Sequence, residues 1–244
     1  MLVGLHSAAT GLMAQQERLD AIANDIANVS TPGYKRLRVG FRDLVYQQAG
    51  MGAGPGVVTG SGAAAQVIGR SFQAGAQLET GRPLDVAIEG DGFIRVRRAD
   101  GTIALTRDGS LQVTPDGRLR TSTGELLDPP VRLPAGASEA DISIGADGTV
   151  RVGNQVAGRI TLVRVTAPER LAAAGDNLFL PTAASGQPVA AGDARLRQGF
   201  LEQSNVDLSE AMVGMIEAQR GFQLASRAIT VQDEAWGIAN GIRR

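Results

Sequence analysis

The sequence predicts an α+β fold: N- and C-terminal helices paired as a coiled coil, with a central, mostly antiparallel β domain. Three observations predict it. Each end of the chain carries apolar residues seven apart, the middle carries Asp-Gly dipeptides at short intervals, and a Gly/Ala/Ser-rich stretch separates the first helix from the β region. The implied organisation is an N-terminal coiled-coil helix over 1–33, a connecting region with a Gly-rich arm over 34–81, a β domain over 82–203 and a C-terminal coiled-coil helix over 204–244.

At the N-terminus Leu5, Leu12, Leu19 and Ile26 repeat every seven residues, and Leu2, Ala9 and Ala23 precede three of them by three. Gln16 is the one polar break in this a/d seam. Asn28, Ser30, Thr31, Pro32 and Gly33 stop the helix, because proline cannot continue the hydrogen-bond ladder and holds Thr31 extended. A helix over about 3–28 would be roughly 39 Å long at 1.5 Å per residue.

Residues Gln48 to Ala65 have no usable periodicity and read as a flexible linker or an extended arm. From Leu84 onward, short β runs are punctuated at Asp91-Gly92, Asp100-Gly101, Asp108-Gly109, Asp116-Gly117 and Asp147-Gly148. Asp-Gly tolerates the positive φ of tight hairpin turns, so a small antiparallel meander is expected. Further strands are expected at 142–144, 149–152 and 158–166.

At the C-terminus Leu208, Met215, Phe222, Ile229 and Trp236 form five successive heptads, with Ala211, Ala218, Ala225 and Ala239 in the alternate positions and Gln232 as the break. Asp207 and Glu210 supply an N-terminal capping pair, and Arg243 with Arg244 suit the negative end of the helix dipole.

A formal charge of −1 lacks the basic footprint of a nucleic-acid binder, and no run approaches the roughly 20 apolar residues of a membrane helix. Neither nucleic acid nor membrane insertion is therefore expected. The first residues lack the basic and unbroken apolar regions of a cleaved signal peptide. Without cysteine there is no disulfide or thiolate chemistry, and His6, the one histidine, lies on a heptad helix. Each Asp-Gly turn offers a single carboxylate, against the several oxygens a calcium ion needs. No catalytic motif is present, so no catalytic, metal or cofactor residue is assigned and no enzyme is expected.

A second pattern accompanies the heptads. Gly214, Gly221, Ala228 and Ala235 lie one position before successive large seam residues, and Gly4 and Gly11 repeat the spacing at the other end. Each interior glycine costs a helix roughly 1 kcal/mol relative to alanine, a cost explained where another backbone comes close. The expectation is one face for the partner helix of the same chain and a second, small-residue face for helices of adjacent subunits. On that view Gly221→Leu leaves the isolated subunit soluble and stops polymerisation. Unlike faces joined between copies propagate as a helical filament unless the rotation closes into a ring.

Residues 23–36, ANDIANVSTPGYKR, with Phe41, Asp43, Leu44 and Tyr46, resemble the N-terminal signature of the flagellar rod and hook family. The resemblance continues through 82–96, 105–119 and 204–229, and so spans nearly the whole chain. It rests most visibly on Asn24, Asn28, Thr31, Gly33, Tyr34 and Lys35 near one end and on Ser204, Asn205 and Val206 near the other. Within the family, FRDLVYQ and the 204–229 block resemble the distal-rod type, whereas RPLDVAI and ITVQDEAWGIANGI resemble the proximal-rod relative. The resemblance implies a structural subunit that polymerises into the hollow drive shaft transmitting torque to the hook. It implies a basal-body location across the cell wall and periplasm, export through the flagellar type III apparatus without a cleaved leader, and termini that order on assembly. The implied partners are further copies of the chain, other rod subunits, the hook protein, the export apparatus and the ring proteins of the bushing. Leu5, Leu12, Leu19, Ile26, Leu208, Met215, Phe222, Ile229 and Trp236, with Gly214 and Gly221, are the expected assembly contacts.

Overall fold

The structure, a computed structural model, describes residues 2–44, 47–48 and 58–241; Tyr46, residues 49–57 of the Gly-rich stretch, Arg243 and Arg244 lie outside them. The described chain forms two terminal helices and a mostly antiparallel β region. It divides into two units, each drawn from separated segments: 1–27, 37–68 and 207–244 make the first, and 28–36 with 69–206 make the second.

In the first unit, helix α1 spans Leu2–Ala27 and helix α2 spans Leu208–Gly241. Helix α2 starts where the sequence places its cap: the Asp207 carboxylate accepts the Glu210 amide at 3.0 Å. After α1, the strand Leu37–Asp43 pairs with Ala63–Arg70, and Gln47–Gln48 pairs with Val58–Thr59. Asp25, buried on α1, accepts the Leu37 amide at 3.0 Å. The far end of the Gly-rich stretch is tied down rather than free. Ser7 donates to the Gly60 carbonyl at 3.1 Å, Leu44 to that of Gly62 at 3.0 Å, and Ser61 is buried. Among the described residues no helix is long and apolar enough to cross a membrane.

The second unit is built on a sheet whose strands run, side by side, Ala172–Ala173, Leu178–Leu180, Ile103–Thr106, Phe93–Arg97, Leu126–Leu127, Leu119–Thr121 and Leu111–Val113. Its core holds Leu84, Val86, Ile94, Val96, Leu111, Leu119, Val150, Ile160 and Leu178. A second cluster gathers Phe93, Leu105, Val163 and Phe179, with Phe72 edge-on to both phenylalanines.

The expected meander is corrected by this strand order. Asp100-Gly101, Asp116-Gly117 and Asp147-Gly148 do sit in hairpins, each glycine at positive φ. Asp91-Gly92 and Asp108-Gly109 do not. Strand Val86–Glu89 leaves its neighbour in sequence to pair with Arg195–Gln198, and Ile103–Thr106 takes Leu178–Leu180 on its far side. The Asp108 carboxylate is spent at this corner: it accepts the Ser110 amide and hydroxyl and the Ser122 hydroxyl. A Cβ at Gly109 would strike the Val86 carbonyl oxygen, so glycine is required there for close approach and not for a hairpin. Strands form at 142–144 and 149–152 as expected. The expected 158–166 run splits into Gln155–Arg159, paired with Thr149–Val152, and Leu162–Arg164, paired with Phe93–Arg97.

Candidate assembly interface

Helices α1 and α2 pack antiparallel. Gly4 faces Gln232, Gln15 faces Gly221, Arg18 pairs with Glu217 at 2.9 Å and Ile22 faces Gly214, so each step along α1 meets an earlier residue of α2. The most enclosed positions are alanines: Ala14 and Ala21 on α1, Ala218 on α2. Small side chains on the contact line allow the backbones to approach. Of the large seam residues, Leu12, Leu19, Ile26, Met215, Phe222 and Ile229 flank this line half-buried, while Leu5, Leu208 and Trp236 are about two-fifths exposed.

Gly4, Gly214 and Gly221 of the small-residue stripe therefore face the partner helix of the same chain, whereas a Cβ at Gly11 would meet nothing and Ala228 and Ala235 are exposed. A Cβ added at Gly221 would lie 2.9 Å from Cδ of Gln15, and one at Gly214 would lie 3.3 Å from Cδ1 of Ile22. The face left open on α2 is instead bulky. Met212, Val213, Ile216, Leu224, Val231 and Ile238 are each more than half exposed, Leu224 at 71% and Ile238 at 67%. Leu224, Val231 and Ile238 are themselves seven apart, a second heptad line on the side of α2 away from Ala218. A helix that is apolar on both sides is built to be covered on both. Counting by seven from Leu224 finds this line in the sequence; it is hidden by the stronger Leu208-to-Trp236 seam, which accounts for the helix by itself.

The signature residues gather elsewhere, apart from Asn24, which is exposed on α1. In the second unit the segment 28–36 meets the segment 202–206. Gly33 donates to the Glu202 carbonyl at 2.8 Å, and Asn177 donates to the Pro32 carbonyl at 2.9 Å. Gly33 has φ +68°, and a Cβ there would lie 2.7 Å from the backbone of Arg107, so both conformation and space exclude a side chain. Asn205 accepts the Arg36 amide at 2.8 Å and donates to the carbonyls of Ser71 and Gln73. Ser204 accepts the Val206 amide at 3.3 Å, Thr31 hydrogen-bonds Asn28, and buried Tyr34 carries the Arg70 guanidinium over its ring.

At the centre of this knot is a buried charge cluster. Lys35 donates to Oε1 of Glu202 and, at 2.7 Å, to the Gln73 carbonyl; the Gly75 amide donates to the same Glu202 oxygen at 2.9 Å. Arg107 holds Oε2 of Glu202 at 3.0 Å and donates to the Gly90 carbonyl at 2.7 Å. Burial lowers the Lys35 ammonium below its ordinary 10.5, Glu202 opposes the shift and Arg107 adds to it. Glu202 and Arg107 escaped the sequence reading. One signal for the cluster is compositional: Lys35 is the only lysine among the 24 basic residues.

Three family models match the chain. "Flagella basal body rod protein" matches residues 5–35, "Flagellar hook protein FlgE/F/G D1 domain" matches 87–152 and "Flagellar basal body rod FlgEFG protein C-terminal" matches 197–242. The first ends at Lys35 and the last includes Glu202, so the two halves of the knot lie within matched regions. The chain is 39% identical to flagellar basal-body rod protein FlgG of Borreliella burgdorferi, over all of both chains. It is 37% identical to the FlgG of Bacillus subtilis over 96% of each, and 33% identical to flagellar basal-body rod protein FlgF of Escherichia coli over 96% of this chain and 97% of that one. The chain belongs to the flagellar basal-body rod protein family.

Proposed function

We propose that the chain is a structural subunit of the distal rod, polymerising helically through its terminal helices into the hollow shaft that carries torque to the hook. The observation that supports this most is the second apolar face of α2: six large side chains more than half exposed in a single chain call for a partner. The full-length similarity to proteins named FlgG favours the distal position. In this reading α1 and α2 supercoil on assembly, with Leu5, Leu12, Leu19, Ile26, Leu208, Met215, Phe222, Ile229 and Trp236 contributing to the packed wall. Gly214 and Gly221 hold the two helices of one chain close. The subunit leaves the cytoplasm unfolded through the flagellar export apparatus, its termini order on incorporation, and its neighbours are like subunits, other rod proteins, the hook protein and the ring proteins.

Electron microscopy of basal bodies from the host with and without the gene tests the reading. Rods that stop short of their distal segment and carry no hook are the expected result. Intact basal bodies with hooks would refute it. The similarity to FlgF favours a second position: loss of the rod from an earlier point would place the chain in the proximal rod.

A further inference from the structure

We infer that the outward face of the β sheet around Arg118, Arg120 and Arg132 is a docking site for an acidic segment of a partner protein, which places a carboxylate among these guanidinium groups. The site lies within the second unit and does not depend on the terminal helices or on the polymerising role. Leu119 lies in the core between Arg118 and Arg120, and Arg132 stands exposed between the core residues Val131 and Leu133. Side chains alternate across a strand, so the arginines point away from the core. Arg118 and Arg132 are direct partners across an antiparallel bridge. Leu119 donates to the Val131 carbonyl at 3.1 Å and Leu133 to that of Gly117 at 2.7 Å, which makes the pair between them the non-hydrogen-bonded kind, with side chains closest together. Like charges directly opposite each other in this way are destabilising.

The chain does little to relieve this crowding. Arg118 meets Asp116 at 2.9 Å, a carboxylate 69% exposed and so well screened. Arg120 donates to the neutral Gln112 side chain at 3.3 Å, and among the described residues neither Arg120 nor Arg132 forms an ion pair. Nε of Arg118 and Nε of Arg120 are buried without a hydrogen-bond partner, and an unpaired buried donor is costly. The same face handles its structural arginines differently: Arg95 and Arg97 share the buried Asp128, at 2.7 and 2.8 Å. A carboxylate brought by a partner would accept the unpaired donors and neutralise the opposed charges. Arg97, Leu126, Arg120 and Gln112 stand side by side across the strands, so cations are separated by an apolar side chain. Arginine interleaved with apolar groups suits a polypeptide carrying both carboxylates and apolar side chains. A phosphate polymer would instead meet a chain of net charge −1 with no continuous basic track.

Fluorescence anisotropy tests the site, with the purified full chain and a short labelled peptide of glutamate, leucine and glycine. The native chain should bind this peptide and not its glutamine-for-glutamate counterpart. Arg120→Gln with Arg132→Gln should weaken binding about tenfold or more, the loss expected for hydrogen bonds between charged groups. Arg151→Gln with Arg195→Gln, at exposed arginines elsewhere on the β unit, should leave binding unchanged. Urea unfolding separates the site from the scaffold: Arg132→Gln removes the like-charge pair, so its midpoint should equal or exceed the native one. No binding by the native chain, equal binding of the two peptides, or equal effects of the two double variants overturns the inference. A lowered midpoint for Arg132→Gln overturns it as well, because Arg132 would then be a structural group. Polyphosphate that binds more tightly than the peptide, and loses its binding in the same variant, overturns it in favour of a polyanion. Association of the native chain with itself that is lost in that variant, read by sedimentation, overturns it in favour of a second copy.

Discussion

The Lys35 ammonium and the Glu202 carboxylate, 167 residues apart in the chain, are in contact with both side chains out of solvent. They join the segment that follows α1 to the segment that precedes α2, within one unit. A buried charge whose partner is removed is strongly destabilising, whereas replacing a whole buried group by apolar residues costs much less. Glu202→Leu strands both Lys35 and Arg107, and is expected to cost about 3–5 kcal/mol in urea unfolding of the full chain. Lys35→Met leaves Glu202 paired with Arg107 and should cost less. Equal costs would contradict the shared-carboxylate arrangement.

The same cluster has a pH signature. Because the folded-state pKa of Lys35 lies below 10.5, the unfolded chain holds more protons between the two values. Stability contributed by this group therefore rises as pH is raised through that interval toward 10.5, and is lowest below it. Lys35→Met should lack that rise, as read from urea midpoints on the alkaline side. Selective ¹³C labelling is unusually clean here, since the chain has a single lysine.

Gly221 marks the line of closest approach between α1 and α2. Leucine there meets Gln15 of the same chain, so Gly221→Leu should reduce rod number by forcing the helices apart, an overpacking cost of about 1–3 kcal/mol. Adding Gln15→Ala should restore part of the loss, because the obstruction is intrachain. Gly221→Ala should be mild, since the flexible end of Gln15 gives way. No recovery with Gln15→Ala would return the stripe to a neighbouring subunit.

Arg18 and Glu217 form an ion pair between the two helices, with their side chains 30% and 60% exposed. Solvent screening holds such pairs to about 0–1 kcal/mol. Arg18→Ala and Glu217→Ala, singly or together, should leave rod assembly near normal. A large loss would mean that this pair is covered in the polymer.

The heptads made both helices and their pairing legible, because a period of seven persists over many turns. The line along which they touch was not. Large seam residues drew attention to themselves, whereas the contact line runs through Ala14, Ala21 and Ala218, whose small size carries little apolar signal. Positive-φ turns were read well at Asp100-Gly101, Asp116-Gly117 and Asp147-Gly148. The same dipeptide at Asp108-Gly109 serves a corner, and nothing local distinguishes the two uses: the difference lies in Val86 and Ser122, distant in sequence. The knot was half legible. Its signature residues stood out as a resemblance, but Glu202 and Arg107 acquire meaning only from the fold, since a glutamate before Gln-Ser-Asn and an arginine before Asp-Gly look like ordinary surface residues.

The central claim, that the outward face of α2 is an assembly surface, is tested most directly by Leu224→Asp, Val231→Asp and Ile238→Asp combined in the host. The account predicts that the subunit is made, exported and soluble, with an intact β unit by limited proteolysis, and that basal bodies lack the segment it builds. Rods of normal length bearing hooks would contradict it.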